Sequence, residues 1–171
     1  MLKNLAVLKK CLDRFLGLMS WLFFLGLIYV VQLQVYARLF LPRSPHWTEE
    51  ASRFLMIYMV AFAAGLAARD RAYVNVDLFI NLIKGRFRAI LQLCIDLSVM
   101  VLMAVIVWYG WRNAAVGAIQ TSASLGIPMN FIFGAVVLYS ASVLFYTATL
   151  VIEDIKSIMT GETNYGNATL L

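Results

Sequence analysis

Four long apolar runs limit what this chain can become. They extend from about Phe15 to Leu41, Thr48 to Ala68, Phe87 to Trp111 and Pro128 to Ile152. Each is about 20 residues or longer, the length an α-helix needs to cross a ~30 Å hydrocarbon core. Inside that core only a helix or a closed β-barrel satisfies its own backbone N–H and C=O groups. A barrel would require two-residue alternation of apolar and polar side chains, which these runs lack. Of 171 residues, 63% are hydrophobic and 13% charged, more apolar surface than a soluble domain of this length can hide. The expected fold is therefore an all-α integral membrane domain over residues 1–171, with four transmembrane helices at about 15–41, 48–68, 87–111 and 128–152. The first run exceeds the bilayer thickness and must tilt or project. Lys3, Lys9 and Lys10 precede it, as in a signal peptide. It is nevertheless too long for a signal h-region, and no clear small-residue cleavage site follows, so it reads as a retained helix.

Basic residues orient these spans. Lys3, Lys9, Lys10 and Arg14 flank the first run, and Arg69, Arg71, Lys84, Arg86 and Arg88 lie between the second and third. Lys156 follows the fourth. The opposite side carries only Arg38, Arg43, Arg53 and Arg112. The excess of Lys and Arg belongs in the cytoplasm, which puts both termini there. Two further segments suit amphipathic helices lying at the cytoplasmic interface. In 2–14, leucines recur at helical spacing with lysines between them. In 74–84, Asp77, Asn81 and Lys84 form a narrow polar stripe. The membrane-surface candidates are Lys3, Lys9, Lys10, Tyr73, Lys84, Arg86 and Arg88. The net charge of +5 sits beside apolar runs, which points to anionic lipid headgroups and not to nucleic acid.

The chemistry-bearing residues are few. Cys11 and Cys94 offer no disulfide framework or zinc spacing, and His46, the single histidine, cannot supply a two-histidine haem site. No glycine-rich phosphate loop is present. No metal, cofactor or enzymatic activity is expected. The densest charge is Trp47-Thr48-Glu49-Glu50-Ala51-Ser52-Arg53, at the mouth of the second run. Thr48 is a candidate N-cap, and Glu49 and Glu50 complement the positive helix start. Glu49 and Arg53 have the spacing of a helical ion pair. Capping needs only Thr48 and one acid, so the extra charges leave two readings: a local cap, or a contact to another subunit through Trp47, Glu49, Glu50 and Arg53. Arg38, Arg43 and His46 make the adjoining loop basic, a candidate edge for an acidic soluble protein. Asp96 is the one acid deep inside a span. One carboxylate without a second acid or a broken helix makes a poor ion cage, so Asp96 reads better as an anchor to a neighbouring helix or subunit. The alternative is a self-contained, dimeric four-helix transporter that uses Asp96 for coupling.

In order and spacing, several segments resemble the small membrane subunit, DctQ-type, of tripartite ATP-independent periplasmic (TRAP) transporters. They are Trp47 to Arg53, then Arg69-Asp70-Arg71-Ala72-Tyr73-Val74, Asn75-Val76-Asp77-Leu78, and Ser124-Leu125-Gly126-Ile127-Pro128. The chain departs at Tyr73, where the family commonly has His. The resemblance implies a multi-pass protein of the bacterial inner membrane that braces a large transmembrane transport subunit. It also implies a periplasmic substrate-binding protein as a second partner and sodium-driven import of an organic acid, sialic acid or a C4-dicarboxylate. On that resemblance, Glu49, Glu50 and Arg53 become candidates for fixing the subunit interface.

Overall fold

The computed structural model describes residues 2–41, 45–70 and 86–160, with side chains placed for 9–41, 45–70 and 90–155. Four helices account for nearly all of it: α1 (Leu2–Phe40), α2 (Trp47–Arg69), α3 (Arg86–Gly117) and α4 (Asn130–Thr160). All four are long and apolar enough to cross a membrane. The proposed interfacial helix 74–84 lies outside the described residues, as do Arg43, Tyr73 and Lys84. Lys3, Arg86 and Arg88 lie on described helices.

Segment 2–14, expected as a separate helix, is continuous with the helix of the first span. α1 runs unbroken for 39 residues, about 58 Å at 1.5 Å per residue. Nothing near residues 12–18 stops a helix: there is no proline, and Gly17 stands alone, 3.8 Å by its missing Cβ from Leu66 of α2. α1 ends just before Pro42, and α2 begins just after Pro45, as proline's fixed φ and missing N–H dictate. The fourth helix starts at Asn130, later than expected, because Pro128 is taken up in a short bridge with Thr121.

The helices form an open row. α1 lies against α2, α2 against α4, and α4 against α3. Among the described residues there is no close backbone approach between α1 and α3. α4 is central, with 39% of its most apolar stretch buried, and α1 is peripheral, with 6%. α1 and α2 run antiparallel, as do α3 and α4, whereas α2 and α4 run parallel. The start of α1 meets the ends of α2 and α4, while the end of α1 meets the start of α2.

Two kinds of contact hold the row together between its ends. Aromatic rings interleave: Phe23 of α1 stacks on Tyr58 and Phe62 of α2 at 5.3 and 5.4 Å. Buried Leu16, Phe62, Met103, Val143 and Tyr146 belong to the same core cluster. Small residues admit close approach, the usual device in lipid, where apolar burial gives no net drive between helices. Ala61 and Gly65 are buried on α2. A Cβ built on Gly65 would sit 2.9 Å from Cβ of Ser142 on α4. Gly65→Ala is therefore expected to lower stability by about 1–3 kcal/mol through overpacking. The double variant Gly65→Ala/Ser142→Gly should recover most of that loss, as read by thermal unfolding of the purified chain in detergent.

Candidate functional site

Polar side chains gather at the two ends of the row. At the first rim, the end of α1 meets the start of α2. Arg38, in the last turn of α1, reaches Glu49 in the first turn of α2 at 2.6 Å. Each charge also suits its own helix dipole. The expected Glu49–Arg53 pair does not form. Glu49 turns across to α1, and Arg53 stays exposed with no ion pair among the described residues. The Arg38–Glu49 pair is itself half-exposed, which limits its worth to about 1 kcal/mol or less.

The Thr48 expectation also needs correcting. The helix already begins at Trp47, and His46, at helical φ and ψ, occupies the cap position without a side-chain bond. Thr48 is thus inside the first turn. It is fully buried, and its hydroxyl donates to the Pro45 carbonyl at 2.8 Å.

Glu50 does something the sequence did not disclose. Its Oε2 accepts the backbone N–H groups of Ser124 and Leu125, at 2.9 and 3.0 Å, from the connection between α3 and α4. That connection is a small hairpin. Ser122 N–H donates to the Ile127 carbonyl, and Met129 N–H to that of Gln120. Gly126, at φ +65°, turns the chain back, a conformation a side chain would strain. The turn leaves adjacent amides facing outward, and Glu50 supplies a charged acceptor for them. Two segments of the family resemblance, Trp47 to Arg53 and Ser124 to Pro128, are therefore halves of one contact. Glu50→Gln should loosen it: amide hydrogen exchange at Ser124 and Leu125 should speed up several-fold, while exchange along α2 stays unchanged.

The opposite rim was largely missed. Asp13 of α1 accepts from two partners. The hydroxyl of fully buried Tyr146, on α4, donates to Oδ1 at 2.5 Å. Arg69, at the end of α2, places Nη1 2.9 Å from Oδ2. The other edge of the same guanidinium forks onto Asp70, Nε at 2.7 Å and Nη2 at 3.0 Å. Lys9, read as a membrane-surface residue, makes an ion pair with Glu153 of α4 at 3.2 Å. One carboxylate thus ties three helices. The available signal was an acid set among lysines, with Arg69-Asp70 already part of the resemblance. Asp13→Ala leaves the Tyr146 hydroxyl buried without its acceptor, which should cost about 1–3 kcal/mol. Glu49→Ala at the other rim should cost about 1 kcal/mol or less. Parallel thermal unfolding of the two variants tests the contrast.

The remaining candidates fall into place around these rims. Trp47 and His46 are exposed at the first rim, beside Arg38. Asp96 belongs to neither rim. It is fully buried, with Gln92 one turn before it, on a helix whose neighbour is α4. Among the described residues no group of three or more His, Cys, Asp or Glu could hold a metal ion. The rim acids bind amides, a phenol and guanidinium groups of the same chain. Such an arrangement fixes helices; it does not set up proton transfer or nucleophilic attack.

The fold and its rims define a multi-pass membrane protein whose charged groups serve architecture. Comparison with known proteins names the class. The family model for the tripartite ATP-independent periplasmic transporters, DctQ component, matches residues 27–157, and the chain belongs to that family. It is a transporter component, not an enzyme. A Haemophilus influenzae protein described as a TRAP transporter small permease protein is 27% identical, over 86% of this chain and 89% of its own length. The sialic acid TRAP transporter small permease protein SiaQ of Vibrio cholerae is 24% identical, over 75% of this chain and 74% of its own. The sialic acid TRAP transporter permease protein SiaT of H. influenzae is 23% identical over 71% of this chain, a match that covers 20% of SiaT.

Proposed function

We propose that this chain is the small scaffold subunit of a sodium-driven importer. It braces a large transport subunit in the bacterial inner membrane, with both termini in the cytoplasm. A periplasmic binding protein delivers the cargo, an organic acid of the sialic acid or C4-dicarboxylate kind. The observation that carries this reading is the fate of the rim charges. Asp13, Glu49, Glu50, Arg38 and Arg69 are committed to partners within the chain, which suits a rigid brace and leaves none of them to follow an ion or substrate. SiaT adds support. The segment similar to this chain is a fifth of that longer permease, so in SiaT a small-subunit-like region and the rest of a permease share one chain.

On this reading, exposed Trp47 and Arg53 contact the large subunit at the periplasmic rim. Arg38 and His46, with Arg43, form the basic edge offered to the binding protein. Asp96 anchors α3 within the assembly.

Reconstitution tests the proposal. Proteoliposomes holding both membrane subunits should take up the acid when given the loaded binding protein and an inward sodium gradient. Liposomes with this chain alone should take up none. Asp96→Asn should leave uptake per assembled complex within about twofold of wild type. Transport by the chain alone, abolished by Asp96→Asn, would instead establish the self-contained transporter.

A further inference from the structure

α1 turns away from the row a face that does not suit lipid. Leu18, Leu25, Gln32 and Leu39 fall seven residues apart, with Trp21 and Ile28 between them, and all are exposed. This stripe lies opposite the face that buries Leu16 and Ala37. A repeat of seven residues is the seam of helices crossing left-handed at about 20°.

Apolar spacing alone would not tell a helix partner from acyl chains. The polar members of the face do. Tyr29 is 69% exposed and neighbours Gln32 on the same side. Asp13 and Arg38 mark the two rims, so the middle of the span falls near Leu25 and Gly26. At 1.5 Å per residue, Tyr29 stands about 5 Å and Gln32 about 10 Å from that midplane. Both lie within the ~15 Å half-thickness of the hydrocarbon core. Neither makes a hydrogen bond with another described residue. A glutamine amide carries two donors and an acceptor, which acyl chains cannot satisfy.

The outer face of α3 behaves differently. Leu97, Val101, Leu102 and Val105 are apolar, Ser98 satisfies itself by donating to the Cys94 carbonyl at 2.8 Å, and exposed Trp108 and Tyr109 stand within about one turn of Arg112, where amphipathic rings meet the headgroups. That face suits lipid.

We infer that the Leu18–Leu39 face of α1 packs against a transmembrane helix of the large permease subunit, with the Gln32 amide hydrogen-bonded across the contact at bilayer depth. The inference rests on the scaffold reading above and specifies which helix face the partner covers. A heterologous partner fits better than a second copy, because SiaT carries the similar region as one part of a single longer chain.

The test uses the two-subunit complex in lipid nanodiscs. Cys11 and Cys94 are replaced by Ser. Spin labels are then placed singly at Leu25 and Ile28 of α1, and at Val101 and Val105 of α3. Addition of the large subunit should cut oxygen accessibility at Leu25 and Ile28 at least about threefold and leave the α3 labels unchanged. Without labels, Gln32→Leu should reduce recovery of the large subunit about threefold, the scale of one interhelical hydrogen bond in lipid. A complex that forms while the α1 labels stay accessible overturns the inference and spares the scaffold reading. Protection of α1 already present in the chain alone assigns the face to a second copy, which also overturns it. No complex under any condition overturns the scaffold reading and the inference together.

Discussion

In hydrocarbon, a leucine gains nothing by leaving lipid for another leucine, so helix association depends on polar bonds and on how closely backbones approach. This chain concentrates those bonds at its ends. Asp13 receives Tyr146 from α4 and Arg69 from α2, so one carboxylate sets the relative height of three helices. Midway, the missing Cβ of Gly65 lets α2 and α4 touch at Ser142. The aromatic stack of Phe23, Tyr58 and Phe62 fills the seam between α1 and α2. The interior then needs no polar network of its own at that seam.

An open row has two flanks, and the flanks here are unequal. A closed four-helix bundle would hide one face of every helix; here α3 lies against α4 alone, and α1 lies along α2 and reaches α4 through side chains at one rim. Away from the rim, where Trp108 and Tyr109 stand exposed, the α3 flank is apolar with its serine self-satisfied, while the α1 flank carries a phenol and an amide at bilayer depth. A membrane protein tolerates such groups where another protein covers them. On the scaffold reading, the row is then a wall with one side built for the transport subunit and the other for lipid.

The spans were legible because hydrocarbon thickness fixes their length and because prolines at 42, 45 and 128 punctuate them. The helix of 2–14 was legible as well, but not its continuity with the span. Amphipathic spacing cannot distinguish a helix that turns into the membrane plane from one that goes straight on, unless a breaker intervenes. At the first rim, the charges stood out and their partners did not. Glu49 has Arg53 at the favourable spacing, yet pairs with Arg38 eleven residues earlier, because the α1–α2 turn brings two helix ends together. Glu50 finds its partners 74 and 75 residues away, as backbone amides that no side-chain pattern announces. Asp13 was hidden in plain view, since an acid among lysines reads first as local charge balance.

These long-range contacts rank the helices. α2 is tied at both ends: at its start to the α3–α4 connection through Glu50, and at its end to α1 and α4 through Arg69 and Asp13. The first turn of α4 is tied to the middle of α2, where the Tyr58 hydroxyl donates to the Phe131 carbonyl at 2.6 Å. α1 shares both rims, through Asp13 and Lys9 at one and Arg38 at the other. α3 has only α4 beside it, yet its end is held by the Glu50-bound hairpin, and Gly117 lets that end close on Phe133. The unit that resists deformation is therefore α1–α2–α4. If the partner sits on the α1 flank, force from a moving transport subunit enters through the helix that is clamped at both rims, and α3 on the lipid side bears none of it directly. On that reading the pairs of Lys9, Arg38 and Arg69 with acids of other helices take a mechanical role, because each joins helices that lipid would otherwise let drift apart.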